Sequence, residues 1–408
     1  MTLSRAHVED VPPVASVHAG LGARLSLGGA AGDAAEFRDR VRALIRERVA
    51  PLLPDAEDAR RFPREAVAAF GSAGLFHERW TGGRHGDLGR SVLLSEEMGR
   101  AGLGGIGIGV GLHLEAALPL LYRFGRTDLA KDALERGLSG TAVCCVATSE
   151  KDVGSDLSAV GAELRRDGTG WRVRGTKWFV SPGAAADLVL VLCRAEDGPA
   201  VVLVERDGVE VVKRLRTAGM RGLETARLSI DAHVPDEAVV ARPGHGLSAL
   251  LAGLMYERLA ISAQIMGTLD LALTLAATHL RRRRQFGRPL VDHQALRLRL
   301  ADLVSEVTIT RRGLYGTVTE LDAGAPVTVC DIAGIKAVAG RLGERVASEC
   351  LQFFGGSGYL EDETPLARLW RDLRVCRIGG GTDEMMLEIV ARGVRGDARL
   401  YEEWVERG

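Results

Sequence analysis

Apolar residues recur with a helical period through the first third of the chain. They change to short unbroken runs in the middle, and the helical period returns after that. Phe37, Val41, Leu44, Ile45 and Val49 fall on one face of a helix. Asp33 is placed to cap it, and Glu36, three residues on, completes a capping-box pattern. Helical spacing recurs around 64–76, 90–101, 112–124 and 127–137. Near residue 144 the texture becomes VRGTKWFV, ADLVLVLC, AVVLVE and VEVVKRL, with the turn pairs Asp167-Gly168, Asp197-Gly198 and Asp207-Gly208 between runs. No helical segment intervenes, so a parallel α/β sheet is not expected there. From about residue 246, long helical segments over 246–283, 292–322, 327–354 and 382–394 predict a bundle.

The expected fold class is therefore α+β. A loose tail (1–32) precedes an N-terminal helical domain (33–143), a middle antiparallel β domain (144–240) and a C-terminal four-helix bundle (241–408). Composition agrees: 408 residues are too many for one small core, and 46% hydrophobic with 26% charged residues is ordinary for a globular protein. A formal net charge of -1 gives no general pull toward nucleic acid or an anionic membrane. The run Arg281–Arg284 stands alone, without a recognition motif, and reads as a solvated helix end with an arginine or two free for a phosphate.

Six cysteines form no CxxC pair and no zinc-like spacing, which suits reduced thiols in a cytoplasmic protein and predicts no metal site. The opening MTLSRAHVED lacks a leader pattern. The least polar stretch, 102–124, carries His113, Glu115 and many glycines, so no membrane span is expected. GLGGIG within it fits a dinucleotide fingerprint but follows the helical SEEMGRA, not a strand. It reads instead as small residues where helices pack closely or line a cavity.

Two features ask for chemistry. The first is RIGGGTDEMMLEI (377–389), whose three glycines are costly to order and imply that something approaches closely. The second is Glu257, a carboxylate in the apolar helix LLAGLMYERLAISAQIMG. Its neighbour Arg258 cannot share its helix face. Glu257 is either a structural ion-pair partner or a carboxylate whose pKa burial raises into the general-base range.

Five stretches in order resemble the acyl-CoA dehydrogenase family: ATSEKDVGSD (147–156), GTKWFVSPG (175–183), RRQFGRPLVDHQ (283–294), QFFGGSGY (352–359) and RDLRVCRIGGGTDE (371–384). The resemblance spans about 33–395. It implies FAD bound between the β domain and the C-terminal helices. It implies that Ser149 holds the flavin's pyrimidine edge, that Phe179 and Val180 pack against the ring, and that Ser181 bonds N5, the hydride-accepting atom. By the same resemblance Arg283, Gln285, Phe286 and Gln294 reach a neighbouring subunit's FAD pyrophosphate, and Gln352, Gly355 and Gly356 form its adenosine-side loop. Thr382 and Glu384 contact FAD, with Asp383 beside them. Ser155 touches both cofactor and the pantetheine arm, and Tyr256, Arg258 and Gly381 border the substrate.

Many relatives carry their catalytic glutamate where this chain has Gly380. In the isovaleryl and long-chain branches the base instead precedes the arginine of the long helix, which here is Glu257, and the interval from Arg258 to Phe286 keeps the family register. The resemblance then makes Gly380 the floor of the site, its N–H polarising the thioester carbonyl while Glu257 removes the α-proton. It implies a homotetramer, a dimer of dimers, and an electron-transfer flavoprotein as acceptor. The chain departs from the pattern at Lys151, Pro182, Leu223, one extra residue between Gly358 and Arg371, and WTGGRHG near residue 80. The expected reaction is dehydrogenation of an acyl-CoA to the trans-2-enoyl thioester. The alternatives are action on carrier-protein-bound acyl groups in biosynthesis, an oxidase of the same fold, or a non-catalytic flavin-binding protein.

Overall fold

The structure, a computed structural model, describes residues 31–406. The expected tail lies outside them except for Ala31 and Gly32, which begin helix α1 (Ala31–Leu44). That early start puts Asp33 in the first turn instead of at the cap. The apolar face is as expected: Phe37, Val41, Ile45 and Val49 are buried in the core. The N-terminal domain continues with α2 (Arg64–Ser72), α3 (Leu88–Arg100), α4 (Gly105–Leu112), α5 (Leu118–Phe124) and α6 (Asp128–Leu138). Asp87 caps α3 by accepting from Arg90 N–H at 2.9 Å, and Thr127 caps α6 by accepting from Ala130 N–H at 3.2 Å.

The middle domain is built on β1 (Cys144–Ala147), β2 (Glu163–Asp167), β3 (Gly170–Val180), β4 (Leu188–Ala195), β5 (Gly198–Glu205), β6 (Val209–Arg214), β7 (Ala226–Pro235) and β8 (Val239–Ala241). The order is β6-β7-β3-β2-β4-β5-β8. Asp167-Gly168 and Asp197-Gly198 turn the β2–β3 and β4–β5 hairpins as expected. The sheet is mixed, however, not purely antiparallel. β1 lies parallel to β4, and β2 meets β4 in parallel at Glu163 and Arg194. The intervening β2–β3 hairpin supplies the crossover that a parallel pair requires. The sequence carried a hint of this: β1 and β4 are near-continuous apolar runs, the pattern of strands covered on both faces.

The C-terminal bundle comprises α7 (Gly246–Arg282), α8 (Gln294–Asp322), α9 (Val329–Phe354) and α11 (Asp383–Gly393). An unexpected helix, α10 (Leu366–Arg374), precedes the glycine run. The helix α7 packs on both α3 and α9 and so joins the helical domains. Glycines let the backbones touch: a Cβ on Gly99 would sit 2.0 Å from Gln264 O, and one on Gly267 would sit 1.9 Å from Glu96 O. Behind this seam a buried network pairs Arg311 with Glu96 and Asp270, and Arg100 with the same two acids. Such charges tolerate burial only when paired. The stretch Gly105–Phe124 and α7 are both long and apolar enough to cross a membrane, but each is 83% buried in protein over its most apolar window, which makes them core helices.

Candidate active site

Glu257 sits in the first half of α7 and is only 5% exposed. It faces Gly380: a Cβ on that glycine would lie 3.4 Å from Glu257 Oε1 and 3.6 Å from Ile261 Cδ1, one helical turn on. Gly380 has φ +68°, which a side chain would strain. Its carbonyl accepts from Arg258 Nε at 3.0 Å. Its N–H donates to no acceptor among the described residues. Gly381, at φ +104°, has its carbonyl held by Lys336 Nζ of α9. Lys336 is fully buried, and burial lowers its pKa.

Burial raises the pKa of Glu257, opposed by the nearby charges of Arg258 and Lys336. Among the described residues its carboxylate makes no hydrogen bond. Arg258 and Lys336 instead bond the carbonyls of the glycine run. The result is a desolvated carboxylate beside an open patch of backbone whose Gly380 and Gly381 N–H groups have no acceptor among the described residues. That arrangement suits proton abstraction next to a polarised carbonyl.

A second group lies at the end of β3. Phe179 is 64% exposed and adopts φ +56°, an uncommon conformation for an aromatic and a mark of a functional constraint. Ser181 Oγ lies 2.8 Å from Thr225 Oγ1. Ser149 O accepts from Trp178 N–H at 2.8 Å, while Lys177 bonds Thr148 O at 3.0 Å and Glu150 at 2.8 Å, tying the loop after β1 to β3. Ser155 is exposed on that loop. Val180 is buried, so only its backbone could meet a ligand. The segment carrying Thr225 also meets α10, where Met220 N–H donates to the buried Asp372.

A third group stands apart. Arg283, Gln285, Gln294 and Gln352 are exposed, and Phe286 is 93% exposed at the tip of a small hairpin. Cβ atoms on Gly355 and Gly356 would meet nothing within 4 Å. No hydrogen bond or ion pair links this group to Glu257 or Gly380 among the described residues. Thr382 caps α11 through Met385 N–H, and Glu384 is exposed. Asp383 is paired with Arg377 at 2.7 Å, but its Oδ1 is buried without a partner among the described residues.

Tyr256 points elsewhere. Its hydroxyl meets His85 Nδ1 at 2.9 Å, and its ring packs edge-on to Trp80 in the N-terminal domain. Two residues were missed in the sequence. Lys336, a lone charge in the small-residue helix GIKAVAG, gave the same signal as Glu257 and could have been found. Thr225 gave none, because its role comes from a tertiary contact.

An exposed aromatic face, a hydroxyl pair, an orphaned carboxylate oxygen and a bare glycine loop fit an extended ligand with a flat apolar ring and a polar tail. Fold and site together define an FAD-dependent oxidoreductase of three domains. Models of the acyl-CoA dehydrogenase N-terminal, middle and C-terminal domains match residues 32–141, 145–233 and 244–395. The chain belongs to the acyl-CoA dehydrogenase family. It is 40% identical to the acyl-[acyl-carrier-protein] dehydrogenase MbtN of Mycobacterium sp. (strain MCS), over 91% of this chain and 96% of that protein. Its fold is similar to that of a putative acyl-CoA dehydrogenase from Mycobacterium smegmatis, with TM-score 0.84, 28% identity, and 88% and 97% of the two chains covered. A glutaryl-CoA dehydrogenase from the same organism, in complex with FADH2, superposes with TM-score 0.82 at 25% identity, covering 89% and 94%.

Proposed function

We propose that this enzyme dehydrogenates the α,β bond of an acyl thioester carried on an acyl carrier protein, with Glu257 as the base. The observation that carries the mechanism is the buried Glu257 carboxylate facing Gly380, which lacks a side chain. The thioester carbonyl accepts a hydrogen bond from the free Gly380 N–H, and this acidifies the α-carbon. Arg258 fixes the Gly380 carbonyl and with it the 380–381 peptide, and Lys336 holds the next carbonyl, so the glycine run keeps one conformation. Glu257, its pKa raised by desolvation, takes the α-proton. Ser149, Phe179, Ser181, Thr382 and Glu384 hold FAD, and Arg283, Gln285 and Gln352 serve that of a neighbouring subunit in a dimer of dimers. Bound there, FAD would supply the hydride acceptor for the hydrogen lost from the β-carbon. An electron-transfer flavoprotein then draws off the electrons in the cytoplasm.

The carrier assignment is supported by the relatives named MbtN, which match nearly the whole chain at 40–42% identity. Isovaleryl-CoA dehydrogenase of Oryza sativa, at 28%, favours the second reading, an acyl-CoA substrate. Anaerobic flavin bleaching across matched acyl groups, each presented on CoA and on a pantetheinylated carrier protein, separates the two. Faster bleaching with CoA esters would reverse the assignment. No bleaching with either would return the chain to a non-catalytic flavin binder, and steady oxygen consumption would indicate an oxidase.

A further inference from the structure

Glu257 and Ile261 begin a stripe on one face of α7 that continues through Gln264, Ile265 and Thr268. The first two face Gly380. The last three line a small cavity with Gly104 and Ile108 of the glycine-rich segment, Met220, and Leu369, Asp372, Leu373 and Cys376 of α10 and the turn after it. Cys376 precedes Gly380 by about one helical turn of chain, as Gln264 and Ile265 follow Ile261 by one. The cavity thus lies between α4 and α7, on the same face of α7 as Glu257 and about 10 Å beyond it at 1.5 Å of helix rise per residue. Most of its other walls are apolar, as an acyl tail requires; the exceptions are Thr268 and Asp372, whose carboxylate is held by Met220 N–H and Arg368.

Gln264 interrupts that lining. Its side chain is buried, and its Nε2 donates to Gly104 O at 3.3 Å across the cavity. Gly107 makes room for it: a Cβ there would lie 2.8 Å from Nε2. Glycine at 107 and glutamine at 264 therefore form one device. The missing side chain on α4 lets an amide lie where a methylene chain would otherwise pass. An acyl chain reaching this point must displace the amide and break its bond to Gly104 O, which leaves a buried amide N–H without that acceptor in a dry site.

We propose that Gln264, held by Gly104 O and accommodated by Gly107, is the residue that sets the length of acyl chain this enzyme accepts. The inference rests on the proposed thioester site. The test is calorimetric binding of S-alkyl pantetheine thioethers of increasing chain length to the FAD-loaded protein, which reads pocket depth without turnover. In the unsubstituted protein affinity should rise about four-fold per added methylene until the chain meets Gln264, then stop rising. In Gln264→Ala the rise should continue over at least two further carbons. Ile108→Ala, which enlarges the same cavity from the facing helix, should extend it too and serves if Gln264→Ala loses its flavin. A break at the same length in the variants as in the unsubstituted protein would overturn the role of Gln264. Absence of thioether binding at every length would overturn the acyl-site reading beneath it.

Discussion

Replacing Gly380 with alanine tests whether the space before Glu257 is reserved for substrate. The new methyl would stand 3.4 Å from Glu257 Oε1 and 3.6 Å from Ile261 Cδ1, ordinary contact distances, so no collision is expected. The cost is conformational. At φ +68° a side chain adds about 1–2 kcal/mol of left-handed strain. Loss of glycine's freedom in the unfolded chain offsets about 0.4–1 kcal/mol of that. The net destabilisation should be about 1 kcal/mol, with FAD retained. Activity should fall much further, because the methyl occupies the position the α-carbon must reach, and displacing a reacting atom by about 1 Å costs on the order of 10²-fold. Gly381→Ala is the contrast: its methyl would lie 2.6 Å from Met386 Cε at φ +104°, so stability should suffer more. Denaturation followed by flavin release and anaerobic single-turnover bleaching measure the two effects separately. A Gly380→Ala enzyme that bleaches at the unsubstituted rate would refute the placement of the substrate. A loss of stability above about 3 kcal/mol would refute the steric reading.

Three further outcomes follow. Burial raises the pKa of Glu257 above its ordinary 4.5, so the folded state is penalised increasingly as pH rises from below that value through the raised one. Glu257→Gln should therefore gain stability relative to the unsubstituted protein between acid and neutral pH, and denaturation at both ends checks the sign. Arg283→Ala should weaken FAD retention by removing a charge partner of the pyrophosphate; equilibrium dialysis showing unchanged affinity would remove Arg283 from the site. If Arg283 and Gln352 complete a neighbour's site, sedimentation should show a tetramer, and an FAD-loaded, active monomer would contradict it.

Much of this was legible in the sequence because local pattern and tertiary role agree. The helical period of α1 and the Asp-Gly turns of the sheet are local signals, and the elements formed there, although α1 starts two residues before the expected cap at Asp33. The parallel pairing of β1 with β4 was hidden because pairing partners are set by the crossover between them, not by either strand. The helix α10 was missed because it is short, and its most telling residue, Asp372, is satisfied by a distant backbone N–H at Met220. Glu257 stood out because a lone charge on an apolar helix is a local conflict, and such conflicts mark sites. Tyr256, next to Glu257 in sequence, lies on a different side of α7, where His85 and Trp80 hold it. Thr225 could not be foreseen, since it gains meaning only from its 2.8 Å contact with Ser181.

The identity of the base decides the account. Glu257→Gln keeps the shape of the side chain and abolishes proton acceptance. The measurement is the rate of anaerobic flavin bleaching under single-turnover conditions, with the best acyl thioester and equal FAD occupancy. Loss of a positioned general base predicts a fall of about 10²–10⁴-fold with the fold and flavin intact. Bleaching at near the unsubstituted rate would show that another group removes the α-proton, and the assignment of Glu257 would be wrong.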